Sequence, residues 1–306
     1  MKRFHAKGKL LLSAEYMVMH GSTALAIPLK LGQSLEITHT ADPKRFTWTA
    51  YHQEKPWFRA VLNPATLEVM DSSNEEIAQG LKQLIDACIE LMPSFREALS
   101  RRDAATRLDF PPDYGFGSSS TLIALMAMWA EVNPLDLHFM VSEGSGYDVA
   151  CAVSDGPITY KLKDHSPQYS HIPFNPPFRD QIWFAWLGNK QATAPHLAEV
   201  AGRLSPNFET VHQFSQLTRE MMNASTLEEF RGVMDRHEEA LSPLLGMDPV
   251  SKRFNKLPGS VKSLGAWGGD FIMIATQADR PTLRGYLEEQ GIRTLYNYKD
   301  LVYEKG

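Results

Sequence analysis

The sequence predicts an α+β protein in two domains, residues 1–165 and 166–306. Three observations carry this. The first sixty residues are rich in β-formers separated by turn residues. From Asn74 onward, apolar residues recur at helical spacing. Strands and helices then mix without regular βαβ alternation. A chain of 306 residues is also long for a single core. The Pro-rich passage from His165 to Pro177 is the natural place to divide it.

The elements follow in order. "KLLLSAEYMVM", "ALAIPL", "SLEITHT" and "RFTWTA" read as strands, with "HGS" as a turn after the first. From Asn74 to Met92, the spacing of Ile77, Leu81, Leu84, Ile85, Cys88 and Leu91 predicts a helix. "ATRLDF" is a short strand leading into "PPDYGFGSSS". Ser118 to Glu131 is the next helix, apolar on nearly every side, as a buried helix should be. "GPITYKL" closes the first half as a strand. In the second half "QIWFAWLG" reads as a strand, and helices are expected near 191–202, 206–223 and 226–243. Strands at "VKSLGAW" and "DFIMIAT", a helix from Arg280 to Gln290 and a strand "RTLYNY" complete the chain.

Composition narrows the functional classes. A hydrophobic fraction of 43% and a charged fraction of 22% are those of a soluble globular protein. The net charge of −5 gives no footprint for nucleic acid or an anionic membrane. Cys88 and Cys151 stand far apart among apolar neighbours, which suits buried thiols in a reducing compartment. Lys7, Lys9 and Glu15 interrupt the N-terminal apolar run, so a signal peptide is not expected, and the expected location is cytoplasmic.

Four stretches carry candidate chemistry. In "GFGSSS" two glycines and three serines precede an apolar helix. The first N–H groups of a helix lack intrahelical partners, and the helix dipole places partial positive charge there. Glycine lets that backbone approach a phosphate, and serine hydroxyls add bonds to the anion or a metal. A serine cap after a turn would produce the same letters, and no Gly-Lys-Ser/Thr closes a P-loop. In "EGSGYDVACAV", Asp148 stands alone among small and apolar residues. It is either a helix cap or a carboxylate that takes a proton from an attacking hydroxyl. "SLGAWGGDF" is a glycine-rich link that also reads as a hairpin turn. "AKGKLLLSAEYMVMHG" adds Lys9 and Glu15 to a strand that otherwise looks buried.

Taken together and in this order, these stretches resemble the GHMP small-molecule kinases, named for galactokinase, homoserine kinase, mevalonate kinase and phosphomevalonate kinase. "GKLLLSAEYMVMHGSTALAIPL" is similar to the family's first motif, "PPDYGFGSSS" to its phosphate loop, and "LGAWGGDFIMIAT" holds the place of its glycine-rich third motif. The resemblance implies a two-domain fold: an N-terminal domain like the second domain of ribosomal protein S5 and a ferredoxin-like C-terminal domain, with the site between them. It implies that Gly115, Gly117, Ser118 and Ser119 line the triphosphate of ATP and that Ser119 touches Mg²⁺. Asp148 would face the acceptor hydroxyl, with Lys9 as its cationic partner. Thr193 and Lys190, in "GNKQATAPHL", would border the substrate.

The resemblance narrows the acceptor to a small anionic metabolite. "GSGYDVA" looks closest to phosphomevalonate kinases and also resembles a bacterial group with Gly-Tyr-Asp in this place. The first motif looks more like mevalonate kinase. Basic residues near the site are few, which favours mevalonate. The same fold also hosts diphosphomevalonate decarboxylases and non-catalytic sensors. Two departures stand out: Trp267 and Asp270 replace family glycines, and the segment between "GFGSSS" and "GSGYD" is short, leaving Glu143 as the nearest acidic residue. No nucleic-acid or membrane partner is expected, and a homodimer stays open.

Overall fold

Alternating polar and apolar residues at the N-terminus form strand β1 (Lys2–Leu11), with Ala6, Gly8 and Leu10 turned inward. The computed structural model describes residues 1–164, 166–188, 202, 204–265, 267 and 271–305. The chain forms two compact units. The first comprises Met1–Gly8, Leu31–Pro112 and Phe116–Val153; the second comprises Lys9–Lys30, Asp113–Gly115 and Ser154–Gly306. Neither unit is a single run of chain.

In the first unit, the C-terminal half of β2 (Ala24–His39) pairs antiparallel with β6 (Arg102–Leu108). Next come β3 (Phe46–His52), parallel to β6, then β4 (Lys55–Leu62) and the edge strand β5 (Val69–Ser72). Strand β1 pairs with β2. A methyl group on Gly8 would come within 2.8 Å of the Leu31 carbonyl oxygen, so only glycine fits there. Five helices belong to this unit: α1 (Glu75–Leu91), α2 (Phe95–Leu99), α3 (Ser118–Ala130), α4 (Pro134–Val141) and α5 (Tyr147–Val153). Helix α3 packs against α1, α4 and α5. Trp129 of α3 reaches Phe46 and Phe95, with ring centroids 6.0 and 4.9 Å away, which joins helix layer to sheet.

In the second unit, the first half of β2 pairs with β7 (Ile158–Lys163), and β7 with β8 (Ser166–His171). The Pro-rich passage thus begins as a strand, because Pro167 sits on an outer strand where its missing N–H does no harm. A separate antiparallel sheet has the order β10 (Ser260–Leu264), β11 (Phe271–Ala275), β9 (Ile182–Trp186), β12 (Leu295–Asn297). Trp183, Ala185, Ile272 and Ile274 alternate onto one face and meet Leu283 and Leu287 of α8 (Arg280–Glu289). Helix α7 (Leu227–Leu245) lies on β10 and packs with α6 (Phe208–Asn223). The short α9 (Tyr298–Leu301) follows β12.

The strand expected through "KLLLSAEYMVM" ends at Leu11. Beyond it, Ala14 and Tyr16 take φ of 62° and 63°, and Met17–His20 form a single 3₁₀ turn. Glu15, between Ala14 and Tyr16, is buried against partners far along the chain, and they override the local strand preference. "VACAV", a weak helix by sequence, forms the body of α5. The helix expected near 191–202 lies outside the described residues, apart from Gly202.

Candidate functional site

The phosphate-loop candidate stands at the start of α3. Gly115 and Gly117 have φ of 71° and 89°, which side-chain-bearing residues rarely adopt. Gly117 is the N-cap and supplies no capping side chain, so nothing on that residue covers the first-turn N–H groups. The hydroxyls that follow divide their work. Ser120 is buried and donates to the Gly117 carbonyl at 2.9 Å. Thr121 is buried and donates to Gln33 Oε1 at 2.7 Å. Ser118 is half-buried and Ser119 exposed, and both line an open cavity.

That cavity belongs wholly to the first unit and holds about 310 Å³. Trp48, Trp57, Phe58, Ile77, Leu81, Leu108 and Leu122 give it largely apolar walls, with Ser118 and Ser119 at the helix start. Trp57 is 51% exposed although large and apolar. An apolar slot beside a helix N-terminus suits a flat, apolar group attached to an anion. These wall residues come from β3, β4, β6, α1 and α3, and no sequence motif marked them.

Just before the loop, Tyr114 anchors the chain in the second unit. Its ring packs on Trp186 and Phe271, with centroids 4.7 and 5.5 Å apart, and its hydroxyl lies 3.2 Å from Thr294 Oγ1. Lys9, on β1, donates from Nζ to the Gly115 carbonyl oxygen at 3.1 Å. Lys9 and Gly115 are therefore brought together within the second unit, with an ammonium held at the entrance to the loop.

Asp148 belongs to the first unit, on α5, next to α3. The Ala150 N–H donates to the Gly146 carbonyl at 3.0 Å, so the helix has begun before Asp148. Asp148 is thus not the N-cap that one reading of the sequence allowed. Its carboxylate is half-buried and accepts from the Val149 N–H at 3.0 Å.

The glycine-rich link joins β10 to β11, whose ends Leu264 and Phe271 pair in register. Trp267 is buried, and its backbone N–H donates to the Tyr16 hydroxyl at 3.3 Å. Asp270, Thr193 and Lys190 lie outside the described residues.

Close to the link is a buried ionisable cluster within the second unit. Glu15 and Lys262, 1% and 0% exposed, form an ion pair, and Lys262 Nζ also donates to the Ser263 carbonyl at 2.9 Å. Glu15 Oε2 takes no hydrogen bond among the described residues and lies 3.4 Å from His237 Nε2. That nitrogen accepts from the Ala14 N–H at 2.9 Å, so the ring is neutral with its proton on Nδ1. Burial holds the His237 pKa well below the ordinary value, and Lys262 adds to the effect. Glu238 accepts from Ser263 and Val250 N–H at 3.0 and 3.1 Å. Burial pushes its carboxyl up to about 7, against the pull of Lys262 and these N–H groups. Burial likewise raises the Glu15 carboxyl, and Lys262 opposes it. Among the described residues, no group of three or more His, Cys, Asp or Glu could hold a metal ion, and no helix is long and apolar enough to cross a membrane.

No family model and no curated protein matches the chain by sequence. Solved structures do match over nearly its whole length. The phosphomevalonate kinase of Streptococcus pneumoniae, in complex with phosphomevalonate and AMPPNP, superposes with a TM-score of 0.71 at 16% identity, over 97% of this chain and 99% of that one. The mevalonate kinase of Methanococcus jannaschii gives 0.70 at 15% identity, over 99% and 98%. The galactokinase of Lactococcus lactis, complexed with galactose, gives 0.67 at 14% identity, over 100% and 94%. The chain has the fold of the GHMP kinases, as its three motifs led us to expect.

Proposed function

We propose that the protein is an ATP-dependent kinase that phosphorylates a hydroxyl group of a small anionic metabolite, with mevalonate as the acceptor. The observation that carries this is the start of α3: a glycine cap with no side chain, Ser118 and Ser119 beside an apolar cavity, and Lys9 at the Gly115 carbonyl. The cavity walls take the nucleobase, and the bare N–H groups of α3 take the phosphates. A structural neighbour in complex with AMPPNP supports the nucleotide.

In the reaction, the acceptor hydroxyl attacks the γ-phosphorus of ATP. The new O–P bond forms as the bond from that phosphorus to the β–γ bridging oxygen breaks, and ADP leaves. Asp148 takes the hydroxyl proton, or holds the hydroxyl in line, and later releases the proton to water. Lys9 adds positive charge at the phosphate loop. Ser119, whose hydroxyl is exposed, would be this chain's ligand to a magnesium ion brought with the nucleotide, and the ion would neutralise phosphate charge. Thr193 and Lys190 complete the proposal as acceptor-binding residues.

Phosphomevalonate is the second reading, favoured by "GSGYDVA". A doubly charged acceptor calls for an arginine or lysine clamp, and the motifs supply few bases, so mevalonate stays ahead. The test is ADP release over a panel of mevalonate, phosphomevalonate, homoserine, galactose and other sugars. A higher kcat/KM for phosphomevalonate overturns the choice of acceptor. Tight ATP binding with no turnover on any acceptor overturns the kinase and favours a sensor.

A further inference from the structure

We infer that His138, on α4, is the positioning residue for Asp148. This rests on the kinase reading above, in which Asp148 faces the acceptor. The connection from α4 to α5 is "SEGSG", residues 142–146, and Asp148 follows two residues later. Two glycines and two serines give this segment little intrinsic preference for one conformation. The His138 side chain restrains it. The imidazole is 3% exposed, and its Nε2 lies 3.1 Å from the Gly144 carbonyl oxygen, a contact that only an N–H on Nε2 can make. The Gly144 N–H in turn donates to Ser142 Oγ at 3.3 Å. Gly144, the loop's central residue, is thus held through both of its backbone groups.

The alternative is a core histidine that merely fills space. His138 Nδ1 argues against it, because that atom is buried with no hydrogen-bond partner among the described residues. A leucine or phenylalanine would fill the same space without burying an unpaired nitrogen. The ring packs edge-on against Phe139, with centroids 5.1 Å apart, and α4 packs on α1, α3 and α5. A rigid helix layer therefore carries the donor that fixes the loop ahead of Asp148.

The test compares His138→Gln with His138→Asn. Glutamine can place an N–H near the position of Nε2, while asparagine is too short to reach Gly144. Both are polar, so the pair separates reach from polarity. We expect His138→Asn to lower kcat by about 10- to 100-fold with KM for ATP unchanged, since small misplacement of a reacting group costs rate rather than nucleotide binding. His138→Gln should recover most of kcat. Equal activity of the two variants, or a parallel loss in kcat and ATP affinity, overturns the inference. Hydrogen exchange of the amides from Gly144 to Val149 gives a readout that needs no turnover. Faster exchange in His138→Asn than in wild type is expected, and unchanged exchange overturns the inference even if no acceptor is ever phosphorylated. Absence of turnover in wild type would count against the kinase reading alone.

Discussion

Replacing Lys262 with Met should destabilise the protein severely, and more so as pH rises. Lys262 is fully buried and is the cation facing two buried carboxylates, Glu15 and Glu238. Removing it leaves Glu15 without its ion-pair partner and Glu238 without an opposing charge. Breaking a buried pair from one side typically costs about 3–5 kcal/mol. For a domain of this size that is a fall in Tm of about 6–20 °C. The sign with pH follows from the proton count. Burial already raises both carboxyls, and loss of Lys262 raises them further, so the fold holds protons that the unfolded chain has released. Stability is therefore fully present below the unfolded carboxyl pKa and falls as pH rises through the folded values. Thermal unfolding of wild type, Lys262→Met and the double variant Glu15→Leu/Lys262→Met at pH 5.5 and pH 8 measures this. The single variant should lose more at pH 8, and the double variant should recover part of the loss, since a buried pair is often replaceable by apolar groups. A Lys262→Met protein within about 1 kcal/mol of wild type at both pH values, or a double variant as damaged as the sum of its parts, would refute this account of the cluster.

Four further outcomes test other parts of the molecule. Asp148→Asn should lower kcat by about 10²–10⁴ with ATP affinity nearly unchanged, and equal losses in both would make Asp148 a structural residue. Gly117→Val should weaken ATP binding, because a β-branched residue resists a φ of 89° and crowds the helix start; unaltered affinity in a calorimetric titration of the folded variant would count against a phosphate site. Trp57→Ala should cost about 1–3 kcal/mol of ATP binding, the usual worth of an aromatic against a base, with little change in Tm at so exposed a position; an unchanged Kd would remove the cavity from the nucleotide site. Glu238→Gln should flatten the fall of wild-type stability between pH 5 and 8 by about 3 kcal/mol, since its carboxyl sits near 7 when folded; a slope that persists would place the titrating group elsewhere.

Local features were legible in the sequence. Helical spacing marked α1 over nearly its full length, and continuous apolarity marked α3 as a buried helix. The two glycines of "GFGSSS" do adopt positive φ, because their conformations depend on residues beside them. Features built from distant parts of the chain were not legible. Glu15 and Lys262 are 247 positions apart, and their meeting ends the expected N-terminal strand in a strained turn. The cavity beside Ser118 is assembled from distant elements: strand pairing sets Trp48 beside Ala104 of β6, and Trp57 lines the same cavity as Ile77 and Leu81 of α1. Single aromatic residues on a strand carry no sign of which wall they will form. His138 carried no signal in the sequence, since its contact with Gly144 depends on how a loop folds back.

The other helices bear on the proposal that "GFGSSS" is an anion site rather than a cap. α1, α4, α6, α8 and α9 start on Asn74, Asn133, Asn207, Asp279 and Asn297, whose side chains accept first-turn N–H groups. α7 starts on Thr226 with a full capping box through Glu229. Six helices are thus capped by side chains, while Ser94, the N-cap of the short α2, makes no such bond. At α3, with serines at hand, the cap position instead holds a glycine in the left-handed conformation. Ser120, whose hydroxyl could have satisfied a neighbouring donor, turns back to the Gly117 carbonyl. A side-chain cap is worth about 1 kcal/mol, and glycine gives up only a few tenths of that. The stability forgone is small, and a side chain at position 117 would crowd the N–H groups to which the proposed phosphate would bind. Lys9 is held on the Gly115 carbonyl, two residues before the cap. The phosphate site proposed above gives a bare glycine cap at this helix start a use.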